Sequence, residues 1–334
     1  MTTVTRISEL FGAPKQSPIT LQICRAYTAS GAFTAPVDGW VTTMQMGGGG
    51  GGGRSGANGT ATGGSSAAWA GKLWRVKAGQ TLTITVGAGG AYGASDGAAG
   101  SNGGATTITD GVTTVTSPGG LGGLASSVAA ALTGPNGGAA PTNADIGAAG
   151  SKSGNCAAVA GARTGGAGVD LLAKGGNATR SGDATGAYAS GGGSVAWHSD
   201  DAATDSTTGA GYGGPSVGTQ PGPGLIPGNP TSLSVDPNTF LSIQSAWGTP
   251  YFGGGNNSGA TYIQQGGGGS GVTSSQGTKG GFGAGGGGYG GAGSYSGGAG
   301  GFGAGGGGGS GGTGGSGKGG DGYVWLEFVP EGAM

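Results

Sequence analysis

The sequence predicts a mainly β protein: a small β-sandwich-like frame carrying a bundle of polyglycine II helices, with long loops and almost no α-helix. Three observations lead there. Glycine makes up 94 of the 334 residues, roughly four times its ordinary share of about 7%. It comes in runs, at 47–53, 266–269, 285–288 and 305–309, with 298–301 interrupted only by Ala299, and good β sequence brackets them. Helix signals are weak throughout, since glycine costs about 1 kcal/mol at a helical position; "GGLASSVAAALTG" and "GVDLLAKGG" have room for at most one or two turns.

The strands come first. In "AFTAPVDGWVTTMQM" the second half reads as a strand through Trp40, Val41, Met44 and Met46. "KLWRVKAGQTLTITVGAGG" reads as strand, turn, strand. Leu73, Trp74 and Val76 form the first arm, and Leu82, Ile84 and Val86 alternate with threonines in the second. Strict alternation means one buried face and one wet face. "GATTITDGVTTVTSPGG" predicts a hairpin with a two-residue Asp110-Gly111 turn, because both positions tolerate positive φ. A last strand, rich in aromatic and branched residues, runs over 323–329. Residues 1–30 are poor in glycine and are expected to form a separate attachment segment. Residues 31–334 then make one glycine-rich domain, with its β frame at 31–120 and 321–330 and a variable insert at 121–320. Within that insert, 225–252 has ordinary composition and is expected to be an ordered protrusion.

The glycine runs need a physical account. A polyproline II helix has three residues per turn, rises about 3.1 Å per residue and makes no internal hydrogen bonds. With glycine at nearly every position, neighbouring helices approach closely enough to bond backbone to backbone. A run of seven spans about 22 Å. Ordering a residue costs roughly 1–2 kcal/mol, and glycine loses most. A lone rod would not hold; a bundle anchored at both ends by strands can. The phrase "GGFGAGGGG" occurs at 280–288 and again at 300–308, so one local geometry is used twice.

Composition excludes several functions. Only 8% of residues are charged, the formal net charge is −1, and the basic residues are scattered. Nucleic acid is therefore not an expected partner. No apolar run approaches the roughly 20 residues that span a bilayer, and "MTTVTRISELFGAPKQ" lacks a secretory core. The chain is expected to be made in a cytoplasm and to reach any outside location without the usual signal. Cys24 and Cys156 read as buried small residues or as a disulfide; two cysteines make no framework. No cofactor or metal is expected. "GFGAGG" (Gly281, Gly283, Gly286) fits G-x-G-x-x-G without the strand and helix that a dinucleotide site needs. "GTGGSGKG" ends on Gly319, where a phosphate loop needs Ser or Thr. The single histidine, His198, has Ser199 and Asp200 as direct chain neighbours, which does not suit a catalytic triad. With Asp200 and Asp201 it reads as a polar loop tip rather than a metal site.

The order "FTAPVDGWV", polyglycine, "AGQTLTITVGAGG", "GGATTITDG" and closing "GGDGYVWLEFV" resembles the glycine-rich domain of bacteriophage tail fibre, tail tip and adhesin proteins. The likeness covers about residues 31–120 and 265–330, and "AGQTLTITVGAGG" is its most specific element. The resemblance implies a receptor-binding protein of the virion's distal tail, not an enzyme, with loops that contact a bacterial surface polysaccharide, outer-membrane protein or pilus. It also implies other tail or fibre proteins as partners through residues 1–30, and a homotrimer by fibre analogy. The long insert departs from the family, so its contact residues are proposed from this sequence alone. Aromatic rings on loops anchor sugars and proteins, which singles out Tyr188, Trp197, His198, Tyr212, Trp247, Tyr251 and Phe252, with Tyr262 nearby. Two other readings remain open: a tailspike-like polysaccharide depolymerase, and a purely structural, ice-binding-like glycine-helix protein.

Overall fold

Alternating apolar and β-branched residues form strands where the sequence places them. The computed structural model describes residues 23–158, 160–169, 279, 280, 283, 285–288, 296–310 and 316–331. In chain order the strands are β1 (Ile23–Tyr27), β2 (Gly31–Thr34), β3 (Gly39–Met46), β4 (Arg54–Ser55), β5 (Thr60–Ala61), β6 (Trp69–Val76), β7 (Thr81–Thr85), β8 (Thr106–Thr109), β9 (Thr114–Ser117), β10 (Ala125–Ser126), β11 (Ile146–Ala148), β12 (Gly309–Ser310) and β13 (Tyr323–Pro330). The protein is mainly β, and no helix occurs among the described residues. Consequently, no described helix is long and apolar enough to cross a membrane.

Two antiparallel sheets make the frame. One has the order β1-β13-β3-β6-β11 and the other β2-β7-β8-β9. The central strand β3 pairs with β13 from Met46↔Tyr323 to Gly39↔Pro330, and with β6 from Gly39↔Val76 to Met46↔Trp69. Inward side chains of both sheets share one core, with Phe33, Leu82, Ile84 and Ile108 from one sheet and Val41, Leu326 and Phe328 from the other. Each fully buried residue of this kind contributes about 1.5–3 kcal/mol. The Phe33 and Phe328 rings meet at 5.7 Å between centroids. Gln45 is buried at the edge of this core, and its Nε2 donates to Thr106 O, Val115 O and Ser117 Oγ, tying the sheets together.

Several details differ from the sequence reading. β6 and β7 lie in different sheets, so the turn at 77–80 crosses the sandwich; Gly79 takes φ +80° there and Gln80 N donates to Lys77 O. The β8–β9 hairpin has a four-residue connection, since its pairing ends at Thr109↔Thr114. Only Gly111 has positive φ; the Asp110 carboxylate instead accepts the amides of Val112 and Thr113. The side chain thus takes the role expected of the backbone. Residues 23–27 pair along β13, so the end of the expected separate segment belongs to the sheet. The frame also takes β11 from the expected insert.

Beyond Met46 the strand runs straight into the rod at 47–53, which is bonded on every side. Its amides donate in turn to three antiparallel runs. Gly47, Gly50 and Gly53 donate to Ala68, Ser65 and Thr62; Gly48 and Gly51 to Gly104 and Ser101; Gly49 and Gly52 to Gly320 and Gly317. Its carbonyls accept from three parallel runs, from Gly120 and Gly123, from Gly90 and Gly93, and from Gly306 and Gly309. Partners recur every third residue, as three residues per turn require. This is polyglycine II packing. A Cβ added at any of these seven positions would lie under 3.0 Å from a neighbouring carbonyl.

The repeated "GGFGAGGGG" marks reversals between rods. Gly303 has φ +68° and Gly283 φ +69°, and Ala304 N closes the turn on Gly301 O. The protein should lose at least about 3 kcal/mol on Gly50→Ala, because the new methyl meets the Leu121 backbone, which has nowhere to move. Ala91→Ser, on an exposed position of the bundle's surface, should stay within about 0.5 kcal/mol. Urea denaturation midpoints check both.

Candidate functional site

The bundle is wider than its glycine runs. Residues 62–68 read "TGGSSAA", yet they form a rod, because hydroxyls bridge where backbones stand apart. Ser65 Oγ accepts Leu121 N–H at 2.7 Å, Thr62 Oγ1 accepts Leu124 N–H at 2.8 Å, and Ser66 Oγ accepts Ser151 N–H at 2.7 Å. Asn102 and Asn155 accept the amides of Gly122 and Gly134 in the same way. Outer rods keep glycine only on the faces that meet neighbours. In 118–124, Gly120, Gly122 and Gly123 are buried while Leu121 and Leu124 are exposed. In 87–93, Gly87, Gly90 and Gly93 are buried while Ala88, Ala91 and Tyr92 are exposed. The available signal was glycine at i and i+3, not glycine in runs.

These rods position the loops at the end of the bundle away from the sheets. Arg54 spans two of them: its Nε meets the Asp96 carboxylate at 3.1 Å and its Nη1 donates to Ala94 O. Arg163 is fully buried beneath the tip. Its Nε donates to Ser55 Oγ, its Nη2 to Gly56 O and its Nη1 to Gly161 O. Thr60 Oγ1 holds Ala130 O at 2.8 Å. The loops 54–59, 94–98 and 125–133 are therefore cross-braced, with Asn58, Asp96 and Val128 exposed on them. Their chemistry is small, weakly polar and nearly neutral.

The second feature is where the described chain breaks off. Val169 is buried against Met44, Met46 and Tyr323 at the sheet end of the bundle, and its amide donates to Gly283 O at 2.6 Å. Gly166 likewise donates to Gly286 O. The rods at 166–169 and at Gly283 and Gly286 therefore lie side by side. The proposed contact residues Tyr188, Trp197, His198, Tyr212, Trp247, Tyr251 and Phe252 lie outside the described residues, as do Tyr262, the expected protrusion at 225–252 and the run at 266–269. Of the phosphate-loop-like stretch, 316–319 is a rod, with its Gly317 and Gly319 amides donating to Gly307 and Gly90. Gly286 of "GFGAGG" likewise donates to Gly305 O. Amides used this way do not cradle an anion. Among the described residues, no group of three His, Cys, Asp or Glu side chains could hold a metal.

Cys24 and Cys156 are both free. Cys24 is exposed on β1, whereas Cys156 is buried and donates to Ala61 O. Burial pushes the Cys156 thiol up to about 12. Burial also pushes the Tyr323 hydroxyl up to about 12. Asp321 sits at the junction of frame and bundle. Burial raises its pKa, but the Gly89 amide and the Lys318 ammonium outweigh this and hold its carboxyl below the ordinary carboxylate range. The Leu73 amide and the Lys72 ammonium hold Asp145 low as well.

No protein-family model matches the chain, and no curated protein matches it as a relative. The assignment of function therefore rests on the geometry above and on the sequence resemblance.

Two outcomes follow from these groups. A disulfide-exchange reagent should label Cys24 in the native protein and Cys156 only after denaturation; rapid native labelling of both would contradict the packing around 156. Carboxyls with lowered folded pKa values stabilise above their unfolded value, near 3.9, and that stability is lost as pH falls through the folded value. Asp321→Asn should therefore weaken the protein at pH 7 and flatten the fall in its melting temperature below about pH 4.

Proposed function

We propose that this chain is an adhesin of a bacteriophage tail fibre or tail tip, which binds a receptor on the bacterial surface during attachment. The observation that carries the reading is the six-sided bonding of rod 47–53. It makes the bundle a stiff, nearly uncharged platform whose loops are held before any partner arrives. Preorganised loops lose less entropy on binding, and a low surface charge suits recognition by shape and ring stacking. The resemblance of "FTAPVDGWV", "AGQTLTITVGAGG" and "GGDGYVWLEFV" to the glycine-rich domain of tail adhesins supports the same reading.

In this proposal residues 1–22, together with β1, attach the protein to other tail or fibre proteins, and a homotrimer is the assembly. The receptor is a polysaccharide, outer-membrane protein or pilus. The contact surface comprises the braced tip loops and the aromatic residues of the segment between Val169 and Lys279, with Trp197 and Trp247 as anchors. The protein acts by binding and not by catalysis, and it belongs to the virion.

Labelled protein applied to a panel of bacterial strains should bind a subset of them. Trp197→Ala and Trp247→Ala should each weaken binding by about 2 kcal/mol, roughly 30-fold. Unchanged binding in the double variant would remove the aromatic assignment. Release of oligosaccharide from envelope polysaccharide would replace the adhesin with a depolymerase.

A further inference from the structure

Among the described residues, one side of the bundle is left open. A groove of about 260 Å³ runs between the rods 296–301 and 316–320, closed at its ends by Lys279, Phe302 and Asp321. The rods that wall it are bonded in only two of their three directions. In 316–320, the Gly317 and Gly320 amides donate to Gly307 and Ala304 on one side, and the Gly319 amide donates to Gly90 on another. Three residues per turn leave Lys318 N–H as the third direction. In 296–301, Gly298 N–H donates to Gly287 O and Gly300 N–H to Lys318 O, which leaves Ala299 N–H. The carbonyls follow the same rule. Gly317 O and Gly320 O accept from Gly52 and Gly49, Lys318 O accepts from Gly300, and Gly319 O is left over. Gly298 O and Ala299 O accept from Gly307 and Gly280, and Gly300 O is left over. None of these four groups, Ala299 N–H, Gly300 O, Lys318 N–H and Gly319 O, has a partner among the described residues.

We propose that this groove is a vacant rod position of the polyglycine lattice, and that it takes a glycine-rich strand in polyproline II form from a partner polypeptide. The chemistry of the walls selects that guest. Each pair of neighbouring rods bonds in one direction only, so a guest lying against both walls meets one group on each: Lys318 N–H on one and Gly300 O on the other, beside the Gly300 N–H to Lys318 O bond that joins the walls. A chain with the same three-residue period meets both with its own backbone. The walls of 299–301 and 318–320 are one turn long, roughly 9 Å, so a single turn of guest is gripped. Glycine is required where the guest faces the two rods, for the reason that excludes a Cβ at 47–53. Positions facing outward are free. The partner is thus recognised by what it lacks, much as an edge strand is extended by a new strand through main-chain bonds.

The test uses the full chain and hexaglycine, with hexaalanine as control, followed by amide NMR. Hexaglycine should shift the amides that line the groove and slow the exchange of Lys318 N–H, and hexaalanine should do neither. Lys318→Pro suits the rod conformation and removes an N–H that no lattice bond uses; compared with Lys318→Ala, which loses the same ion pair to Asp321, it should bind hexaglycine about tenfold more weakly at an equal melting temperature. Ala299→Trp, which fills the groove, should abolish binding. No response to millimolar hexaglycine, or equal binding by folded Lys318→Pro, overturns the proposal. So does glucuronate binding at the same amides in place of hexaglycine, which would make the groove an acid-sugar site. Self-association of the wild type that Lys318→Pro removes would make the guest a second copy rather than a separate partner. These readouts need no bacterial cells, so they stand or fall apart from receptor binding.

Discussion

The structure depends on backbone-to-backbone hydrogen bonding between chains that carry no Cβ at the contact. In rod 47–53 every amide donates to another run, and the carbonyls of 48–53 all accept from one. A net backbone hydrogen bond is worth about 0.5–1.5 kcal/mol, while ordering a residue costs roughly 1–2 kcal/mol. The bonds alone do not hold a rod. Close approach adds dispersion along its whole length; β3 fixes one end, and the β4–β12 pairing with the Arg54–Asp96 bridge fixes the other. Remove the close approach at one central position and the neighbouring carbonyls separate, which weakens the bonds of several rods at once.

The sandwich therefore serves the bundle as much as the bundle serves the loops. β3 feeds the central rod directly, and β13 closes the last one beside it, although Tyr323 follows Met46 by 277 positions in sequence. Bonds between partners so distant in the chain form only after a large loop-closure cost. The apolar contacts of Met44, Met46, Trp69, Val169 and Tyr323 sit where strands become rods, so the two kinds of packing are continuous. Few charges take part. The ion pairs, such as Arg75–Glu331 and Lys77–Asp38, lie at the surface, where water and salt screen them.

Such a platform fits the recognition role proposed above. It offers stiffness and a nearly neutral surface, and it braces the loops at its far tip. At the far tip, the bracing by Arg54 and Arg163 was invisible in the sequence, because each arginine was one scattered charge among few. Their roles follow from which rods stand side by side, bringing Arg54 to Asp96 and Arg163 to Ser55 and Gly56.

What the sequence determined by itself was the type of structure. Alternation in "TLTITV" and the branched run of 323–329 specified strands; seven successive glycines specified a rod that must be surrounded, since only burial on all faces demands glycine at every position. It underestimated the bundle because the outer rods need glycine only where they touch, and because Ser65, Thr62 and Ser66 bridge gaps with hydroxyls. It also misjudged the 110–113 turn, where a carboxylate replaced a backbone conformation. Tertiary structure alone decided which runs neighbour which, and that β6 and β7 part between sheets. The physical reason is that polyglycine carries no side-chain code. A rod accepts any neighbour of matching period, so its partners are chosen by the strands and turns that aim it.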